Sequence, residues 1–397
     1  MQRLDRWVEN LWLGLAVTKS GKILCITNDF GPRAGGIETF VIGLLERLPK
    51  GEVVVYTSGQ GDTREYDAAW LRDYGVVVHR DKAKILLPTP RVARNVGKVI
   101  AGGNFSVAIF GAAAPLALMA GYVRRKGVGR IVALTHGHEV WWAKVFPFNL
   151  MIRFIGNNVD ALTYLGEFTR SAIAGGLSSK AASVMVKIAP GIDTYHFAPV
   201  DASALRASLG LTHKKIIVSV GRLVHRKGQD HLIEAMPEIL KSERDAHLLL
   251  VGEGPYRKYL EGRVAKLSLT ECVTFIGRIQ YSELPKYICV GDIFAMPSRS
   301  RLAGLEVEGL GIVYLEASAC GLPVIAGSSG GAPDAVLEGK TGVVVDGTND
   351  VEIAAAALIL LGDEKLRKVM GSAGREWIID KWRWDIWAKE FRDLLKV

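Results

Sequence analysis

Short strands rich in β-branched residues alternate with glycine-containing loops and helical segments along almost the whole chain. Strands connected by helices pair in parallel, and the helices then cover both faces of the sheet. The predicted strands of the first half are KILCIT, EVVVYT, VAIFG, IVALT and ALTYL, and those of the second half are KIIVSVG, HLLLVG, VTFIG, IFAMP, PVIAG and GVVV. The pattern predicts an α/β protein with two doubly wound parallel sheets in tandem.

The chain has 397 residues, more than one hydrophobic core normally spans, so two domains are expected. The turn APGIDTYHFAP, residues 189–199, is the expected boundary. We predict a first domain over 22–195, a second domain over 196–375, and a C-terminal helix over 376–397 that packs back toward the first domain. Residues 1–21 form an N-terminal extension, which is either a short amphipathic helix or the result of a misassigned start codon.

Composition indicates a soluble globular protein, because 49% of the residues are hydrophobic and 23% are charged. The longest uncharged stretch, residues 107–123, contains glycine and proline and is interpreted as a strand followed by a helix. The four cysteines are scattered in apolar runs, which is typical of reduced core residues. The first 22 residues contain early acidic residues and do not resemble a secretory signal. These features predict a cytosolic chain.

The formal net charge of +9 comes entirely from the first half of the chain. Residues 1–195 contain 24 Lys and Arg against 15 Asp and Glu, whereas residues 196–397 contain 26 of each kind. Such an excess either forms a solvated basic face or attracts the domain to an anionic surface. Nucleic acid is the less favoured anion, because the basic residues are not interleaved with aromatic residues that could stack on bases.

Two glycines, Gly35 and Gly36, follow the first strand and precede a helix expected from about residue 37 to residue 48. Glycine lets the backbone approach a phosphate, and the first N–H groups of a helix point at it. A tight strand-to-helix turn without a ligand explains the same pattern. The loop lacks the three-glycine spacing of the dinucleotide fingerprint, and no acidic residue ends the next strand, so a dehydrogenase is disfavoured.

Two cations follow a strand in the segment VSVGRLVHRKGQDHL, where Arg222 comes directly after the strand and Lys227 precedes a helix. An arginine fork and a lysine point charge that converge on a helix N-terminus can hold a diphosphate. A pair of solvated loop cations is the alternative interpretation. Because ligands bind at the carboxyl ends of parallel strands, this loop is a candidate binding site.

Two glutamates, Glu308 and Glu316, lie in the otherwise apolar and glycine-rich segment VEGLGIVYLEASACG. A buried carboxylate without partners is costly, so a cation or a ligand must compensate each charge. Carboxylates pair well with sugar diols, which predicts that Glu316 binds a ribose and Glu308 a second sugar. A surface helix with two unrelated glutamates is the alternative. The backbone donors expected to meet a phosphate and its sugar are those of Gly309, Leu310, Gly311 and Ile312.

In their order, the motifs GGIETF, GRLVHRKGQD, VGEGP, FIGR, the two glutamates eight positions apart and GLPVIAGSSGGAPD resemble the retaining GT-B glycosyltransferases. The likeness covers nearly all of the chain from Lys22 onward. The segments THGHEVWW, LLPTP, GAAAPLALMAG and MPSRSRLAGLEVEGLGIVYLEASACG resemble, more closely, the GDP-mannose-dependent phosphatidylinositol mannoside α-1,6-mannosyltransferases. The resemblance implies the GT-B fold, in which two Rossmann-like domains face each other across a cleft.

The resemblance also assigns roles to individual residues. It implies that Arg222 and Lys227 hold the donor diphosphate and that Glu316 holds the ribose. Glu308, with the backbone of residues 309–311, would hold the transferred sugar. His136, the first histidine of THGHE, would lie beside that sugar and, with Glu308, serve catalysis. The segment at Arg278 and Ile279 would lie near the base.

No D-x-D triplet occurs in the sequence, so the metal–diphosphate site of the other large glycosyltransferase fold has no ligands here. We therefore expect no metal or other cofactor, and cations and helix dipoles would neutralise the leaving group. Glu308 is assigned to sugar hydroxyls, which leaves no placed nucleophile. This favours departure of the diphosphate and attack of the acceptor on the same face, with the leaving phosphate as the base.

These expectations describe a peripheral membrane mannosyltransferase on the cytoplasmic, inner face of the cell membrane. Its partners would be GDP-mannose, a glycolipid acceptor and an anionic membrane surface, without nucleic acid. Alternatives are a retaining hexosyltransferase with another nucleotide sugar and a soluble acceptor, a nucleotide-sugar 2-epimerase, and a non-catalytic lipid-binding module. The residues expected to contact the membrane are Lys82, Lys84, Arg91, Arg94 and Lys98.

Overall fold

The computed structural model describes residues 21–33 and 35–397, so the predicted N-terminal extension lies outside them except for Gly21. The first domain contains a seven-stranded parallel sheet of order β3-β2-β1-β4-β5-β6-β7. Its strands are β1 (Lys22–Thr27), β2 (Val53–Thr57), β3 (Val77–Arg80), β4 (Phe105–Phe110), β5 (Arg130–Ala133), β6 (Ala161–Tyr164) and β7 (Met185–Lys187).

The second domain contains a six-stranded parallel sheet of order β10-β9-β8-β11-β12-β13. Its strands are β8 (Lys215–Val220), β9 (Ala246–Val251), β10 (Val273–Gly277), β11 (Ile293–Met296), β12 (Val324–Gly327) and β13 (Gly342–Val345). The prediction of an α/β protein with two doubly wound parallel sheets is confirmed.

The first-domain helices are α1 (Gly36–Leu45), α2 (Arg64–Tyr74), α3 (Pro90–Ala101), α4 (Ala120–Arg125), α5 (Glu139–Lys144), α6 (Phe148–Asn158), α7 (Glu167–Ala174) and α8 (Ser179–Ser183). Those that follow are α9 (Ser203–Ser208), α10 (Gln229–Ser242), α11 (Arg257–Lys266), α12 (Leu284–Cys289), α13 (Ile312–Ala319), α14 (Asp350–Gly362), α15 (Glu364–Lys381) and α16 (Trp384–Leu395). Five short 3₁₀ turns are Leu116–Met119, His225–Lys227, Tyr281–Glu283, Leu302–Gly304 and Ala332–Ala335.

The two faces of the first sheet carry different helices. On one face, the apolar sides of α3, α4, α5 and α6 form a single buried cluster with the strands. On the other face, α1, α2 and α16 belong to a second cluster, which continues through residues 188–202 into the second sheet. The helices α3 to α6 therefore share one side of the first domain, away from the core that joins the domains.

The C-terminal helix α16 lies against α1 of the first domain. The Trp384 ring stacks on Phe40 with centroids 6.4 Å apart, and an Nη1–H of Arg392 donates to the Arg47 carbonyl at 3.1 Å. The boundary expected between residues 375 and 376 falls inside α15, which runs on to Lys381. The return to the first domain thus begins after α15, at the second helix of this C-terminal segment.

Candidate active site

The loop after β8 carries the two cations that the sequence predicts to hold a diphosphate. It ends in the turn His225–Lys227 and in Gly228, whose φ of 74° is left-handed. A Cβ on Gly228 would lie 1.8 Å from the Pro297 carbonyl oxygen, so only glycine fits there. The turn buries Lys227 to 9% exposure at the beginning of α10 and leaves Arg222 exposed.

The partner of Lys227 in this structure is Glu308. The Lys227 Nζ lies 2.8 Å from Glu308 Oε2, and Arg226 Nε lies 3.8 Å from the same oxygen. Burial raises the pKa of Glu308, but these two cations outweigh it and hold the pKa below its usual value. Glu308 is therefore ionised at neutral pH, and its charge is compensated by the lysine that was predicted to hold the diphosphate.

The segment after Glu308 brings backbone donors to the same place. Gly311 has a φ of 78° and a hypothetical Cβ there would lie 2.4 Å from the Tyr314 ring, so the turn requires glycine. The helix α13 begins directly afterwards at Ile312, and the first N–H groups of a helix have no intrahelical partner. Anionic groups are favoured at such an end.

Glu316 lies on the second turn of α13 with 6% of its surface exposed. Burial raises its pKa to about 7, against the opposing influence of Lys227. Its carboxylate is thus poised between two protonation states near neutral pH. A ligand that donates hydrogen bonds to the charged form would bind more tightly as that form becomes populated.

His136 lies at the end of β5 in the first domain with 8% exposure. Its Nε2 lies 2.5 Å from the Gly111 carbonyl oxygen, and its backbone N–H donates to Glu139 Oε2 at 2.9 Å. Burial lowers the pKa of His136, which favours the neutral ring. Because the carbonyl only accepts, Nε2 carries the proton, and Nδ1 can accept a hydrogen bond from a hydroxyl group.

The two domains touch at this histidine. A Cβ on Gly309 would lie 2.5 Å from the His136 carbonyl oxygen, and a Cβ on Gly137 would lie 2.8 Å from the Gly309 Cα. The His136 turn of the first domain therefore packs directly on the loop that carries Glu308. The structure brings together three residues that were predicted from separate parts of the sequence: Lys227, Glu308 and His136.

The remaining predicted residues lie at the ends of strands and helices. Gly35 is the residue before α1, and a Cβ on Gly36 would meet nothing within 4 Å, so there is space beside the helix end. Arg278 is exposed after β10, and Ile279 packs against the core that joins the domains. The side chains of Arg222 and Arg278 form no ion pair within the part of the chain that the structure describes.

The groups that hold the loop of Lys227 in place were not identified from the sequence. Arg226 flanks Glu308, and its backbone carbonyl accepts from the Arg299 N–H at 2.8 Å. The Arg299 guanidinium donates twice to Asp230, at 2.7 Å each, and the Tyr256 hydroxyl donates to the same carboxylate at 2.9 Å. Asp230 directly follows the motif RKGQ, but nothing in the sequence indicates that its partner is 69 positions away.

Two sequence models of known families match the chain. Residues 34–196 match the family described as Glycosyltransferase Family 4, and residues 201–377 match the family described as Glycosyl transferases group 1. Among the residues that the structure describes, no group of three or more His, Cys, Asp or Glu side chains is placed to hold a metal ion.

Curated relatives cover almost the whole chain. The GDP-mannose-dependent α-(1-6)-phosphatidylinositol monomannoside mannosyltransferase of Mycolicibacterium smegmatis is 44% identical over 94% of this chain and 98% of its own length. The chain belongs to this glycosyltransferase family. The corresponding enzyme of Corynebacterium glutamicum, named for the monoacylated acceptor, is 39% identical over 96% of this glycosyltransferase and 99% of its own length. The predicted relationship is confirmed.

Solved structures confirm the predicted GT-B fold. Anabaena HepE in complex with UDP superposes with a TM-score of 0.79 over 94% of this glycosyltransferase and 99% of that chain, at 19% identity. Sucrose-phosphate synthase from Thermosynechococcus elongatus gives a TM-score of 0.75 over 94% and 98%, at 23% identity. At these identities the likeness concerns the fold alone.

Proposed function

We propose that this glycosyltransferase transfers mannose from GDP-mannose to phosphatidylinositol monomannoside, forms an α-1,6 linkage and retains the anomeric configuration. The observation that carries the proposal is the Lys227–Glu308 pair, which lies at the N-terminus of α13 and faces His136 across the cleft. This is an arrangement for an anionic leaving group attached to a sugar. The names of relatives at 39–44% identity over nearly the whole chain supply the donor and acceptor.

In this proposal the second domain holds the donor. Lys227 and Arg222 bind the diphosphate together with the N–H groups of Gly309, Leu310, Gly311 and Ile312. Glu316 accepts hydrogen bonds from the ribose, and the loop of Arg278 and Ile279 contacts the base. Gly35 and Gly36 bring the first-domain backbone toward the phosphate. No metal ion takes part, and the cations stabilise the charge that develops on the diphosphate.

Transfer then requires one bond to break and one to form on the same face of mannose. The bond between the anomeric carbon and the diphosphate oxygen breaks, and GDP leaves with the electron pair. A hydroxyl oxygen of the acceptor attacks the anomeric carbon, and its proton passes to the departing phosphate oxygen. Glu308 and the neutral His136 ring hold hydroxyl groups of the sugar during this step.

The direct test is a donor and acceptor assay with purified protein. GDP-mannose, UDP-glucose and ADP-glucose are each incubated with phosphatidylinositol monomannoside or with a soluble mannoside, and released nucleotide and product are measured. We expect GDP release coupled to a dimannosylated lipid. Turnover of UDP- or ADP-glucose on the soluble acceptor would indicate another hexosyltransferase. Free altered sugar without acceptor would indicate an epimerase, and lipid binding without turnover would indicate a binding module.

If Glu316 binds the ribose, the effect of Glu316→Gln on GDP affinity should depend on pH. The free-enzyme pKa of Glu316 is about 7, so lowering the pH from about 8 to about 6 should convert the carboxylate to the neutral acid and weaken GDP binding. At the higher pH the glutamine variant should bind GDP roughly tenfold more weakly, because it lacks the charge-assisted hydrogen bond. Near pH 6 the two affinities should converge.

Isothermal titration of GDP into both proteins across this pH range provides the measurement. The phosphate of GDP also titrates in this range, but this affects both proteins equally and cancels in the ratio of their GDP affinities. If the variant binds GDP as tightly as the parent at the higher pH, Glu316 does not contact the ribose.

The lipid acceptor requires a surface of the first domain that meets a membrane. Residues 82–159 contain eleven Lys and Arg and a single carboxylate, Glu139, which is fully buried. This stretch includes α3 to α6, which share one side of the domain. No helix among the described residues is long and apolar enough to span a bilayer. We propose peripheral attachment of this side to the anionic inner face of the cell membrane.

One of the predicted membrane contacts, Arg91, already has a partner within the protein. The Arg91 guanidinium forms two hydrogen bonds with the buried Asp81, at 2.8 and 3.0 Å. The Arg91 side chain is 51% exposed, but its charge is paired with this carboxylate, which the helical spacing alone did not reveal. The other predicted cations are exposed and form no ion pair within the described chain: Lys82, Lys84, Arg94 and Lys98.

Apolar side chains project from the same side of the domain. Ile85 and Leu87, between the lysines and α3, are 65% and 52% exposed. Phe146, Leu150 and Phe154 are spaced four residues apart along α6 and its start, and are 74%, 55% and 50% exposed. Exposed apolar groups among uncompensated cations are the composition of surfaces that lie in the membrane interface.

Replacing Lys84, Arg94 and Lys98 together with glutamine should weaken binding to anionic vesicles by about 3 kcal/mol at low salt, since each cation contributes about 1 kcal/mol. GDP affinity should not change, and transfer to the lipid acceptor should fall more than donor hydrolysis. Vesicle sedimentation over a salt series measures the effect.

The matched control replaces three exposed second-domain lysines that form no ion pair with any described residue: Lys258, Lys266 and Lys340. This control changes the net charge by the same amount and should leave vesicle binding nearly unchanged. Equal losses in both triple variants would show that only total charge matters, and binding that is indifferent to salt would argue for a soluble acceptor.

A further inference from the structure

A single carboxylate of the second domain caps a helix of the first. Asp334 lies in the turn Ala332–Ala335 after β12, and its Oδ2 accepts a hydrogen bond from the Phe168 backbone N–H at 3.2 Å. Phe168 is the second residue of α7, so the carboxylate meets the unpaired N–H groups and the positive end of the helix dipole. The two residues are 166 positions apart, and the bond crosses between the domains.

The first domain leaves space for this carboxylate at Gly166. A Cβ on Gly166 would lie 2.2 Å from Asp334 Oδ2, closer than any atoms can approach without a shift. The φ of Gly166 is −155°, an extended conformation that any residue adopts. A side chain at position 166 would therefore have to displace the Asp334 carboxylate, whereas the backbone itself does not require glycine.

On its own domain, Asp334 is joined to the loop that presents Glu308. The Asp334 N–H donates to the Gly331 carbonyl at 3.0 Å, and the Gly331 N–H donates to the Glu308 carbonyl at 2.8 Å. Ser329 supports the same residue, because its Oγ accepts from the Glu308 N–H at 3.2 Å. A displacement of the 332–335 turn would therefore be transmitted to Glu308.

On the other domain, the capped segment is joined to His136. The helix α7 follows β6, and Thr163 of β6 is hydrogen-bonded to Thr135. The Thr135 Oγ1 donates to the Thr163 carbonyl at 2.7 Å, and the Thr135 N–H donates to Thr163 Oγ1 at 3.3 Å. Thr135 immediately precedes His136. The capped helix is thus connected to His136 through β6 and Thr135.

We propose that Asp334 is a positioning residue that fixes His136 against Glu308 by capping α7 across the cleft. This inference rests on the proposed transfer reaction, in which the two residues hold the same sugar. Because the contact joins the two domains, separating them would break it, and it aligns the site while they lie together. A carboxylate suits the role because an acidic side chain at a helix N-terminus satisfies the free N–H groups and complements the dipole.

Replacing Asp334 with alanine should lower kcat for mannose transfer by about tenfold or more, because small displacements in an enclosed site cost one to two orders of magnitude. GDP affinity should stay within about twofold of the parent, since the proposed GDP contacts that involve side chains belong to the second domain. Asp334→Asn keeps an acceptor oxygen for the Phe168 N–H and should recover most of the rate.

Gly166→Ala tests the same contact from the other domain. The new methyl group displaces the Asp334 carboxylate, so kcat should fall by a similar factor. In the double variant, Gly166→Ala with Asp334→Ala, the loss should not exceed that of either single change by more than about twofold, because both remove one interaction. Gly175→Ala at the end of α7 is the matched control, since its Cβ would make only ordinary contacts at 3.8 and 3.9 Å.

Small-angle X-ray scattering of each protein with GDP provides a readout independent of catalysis. The parent and Gly175→Ala should have the same radius of gyration, and Asp334→Ala and Gly166→Ala a larger one. Three outcomes would each overturn the proposal. The variants could show unchanged scattering and turnover, or their GDP affinity could fall in parallel with kcat. The third outcome is a loss of kcat in the double variant that equals the product of the two single losses. A parent protein that transfers no mannose would instead refute the proposed function, while the scattering comparison would still test the cap.

Discussion

Replacing Lys227 with alanine is expected to lower turnover by about a hundredfold or more. The lysine is nearly buried at the start of α10, and its only ion-pair partner among the described residues is Glu308, at 2.8 Å. Charge on the diphosphate grows as the bond to the sugar breaks, and a placed cation in a water-poor site stabilises that charge by roughly 3 kcal/mol. The neighbouring Arg226 is more exposed than Lys227 and lies farther from the same carboxylate, with its Nε at 3.8 Å.

Steady-state kinetics with GDP-mannose and calorimetric binding of GDP measure the effect. Lys258→Ala removes an exposed lysine of the same domain that has no ion-pair partner in residues 21–33 and 35–397, and it should leave both quantities unchanged. Thermal unfolding establishes that the Lys227 variant is folded, which is needed because its removal leaves a buried carboxylate without its closest counter-charge. Near-normal turnover with unchanged donor affinity would show that the diphosphate is held elsewhere.

The fold could be predicted largely because both sheets are parallel and covered on two faces. In β1 every residue after Lys22 is buried, and β9 is buried along its whole length, so both appear in the sequence as mainly apolar runs. The strands that the pattern missed are β3 and β7, with four and three residues, at the two edges of the first sheet. Neither contains a fully buried residue, so hydrophobic periodicity carries no signal for them.

Residues of the candidate site could also be predicted from the sequence, but the ion pair between them could not. Glu308 and Lys227 were each singled out because of their local surroundings, as a carboxylate in an apolar run and as a cation before a helix. That each neutralises the other depends on the fold, which brings together positions 81 residues apart. His136 was identified only through the family resemblance, because one histidine after a strand is equally explained as a structural residue.

Long-range contacts account for the rest of what sequence reasoning missed. Arg91 was placed on an exposed helical face by its spacing, yet Asp81, ten positions earlier, occupies its guanidinium. Asp334 stands in a glycine-rich turn that indicates only a loop, and its partner is the start of a helix in the other domain. In both cases the contact depends on where an opposite charge or dipole lies in the fold. The spacing of residues along one helix or loop does not reveal that position.

Replacing Glu308 with glutamine is expected to lower turnover by roughly tenfold to a hundredfold, which corresponds to the loss of about 1.5–3 kcal/mol from one charge-assisted hydrogen bond to the sugar. The pKa of Glu308 is held below its usual value, so in the proposed site the charged form would bind the sugar hydroxyls at neutral pH. These hydroxyls become more acidic as positive charge develops on the ring, so the contact strengthens in the transition state and acts on kcat.

GDP affinity separates this role from that of Glu316. GDP has no transferred sugar, and the glutamine variant frees Lys227 from its ion pair, so GDP should bind as tightly as in the parent or more tightly. Glu306→Gln is the control, because Glu306 lies two positions earlier, pairs with Arg301 at 2.9 Å and with Arg226 at 3.9 Å, and forms no ion pair with Lys227 within the described chain. If the Glu308 variant has the same kcat as the parent, Glu308 does not contact the transferred sugar. A variant that loses both GDP binding and turnover would show that the carboxylate shapes the diphosphate loop and does not act on the sugar.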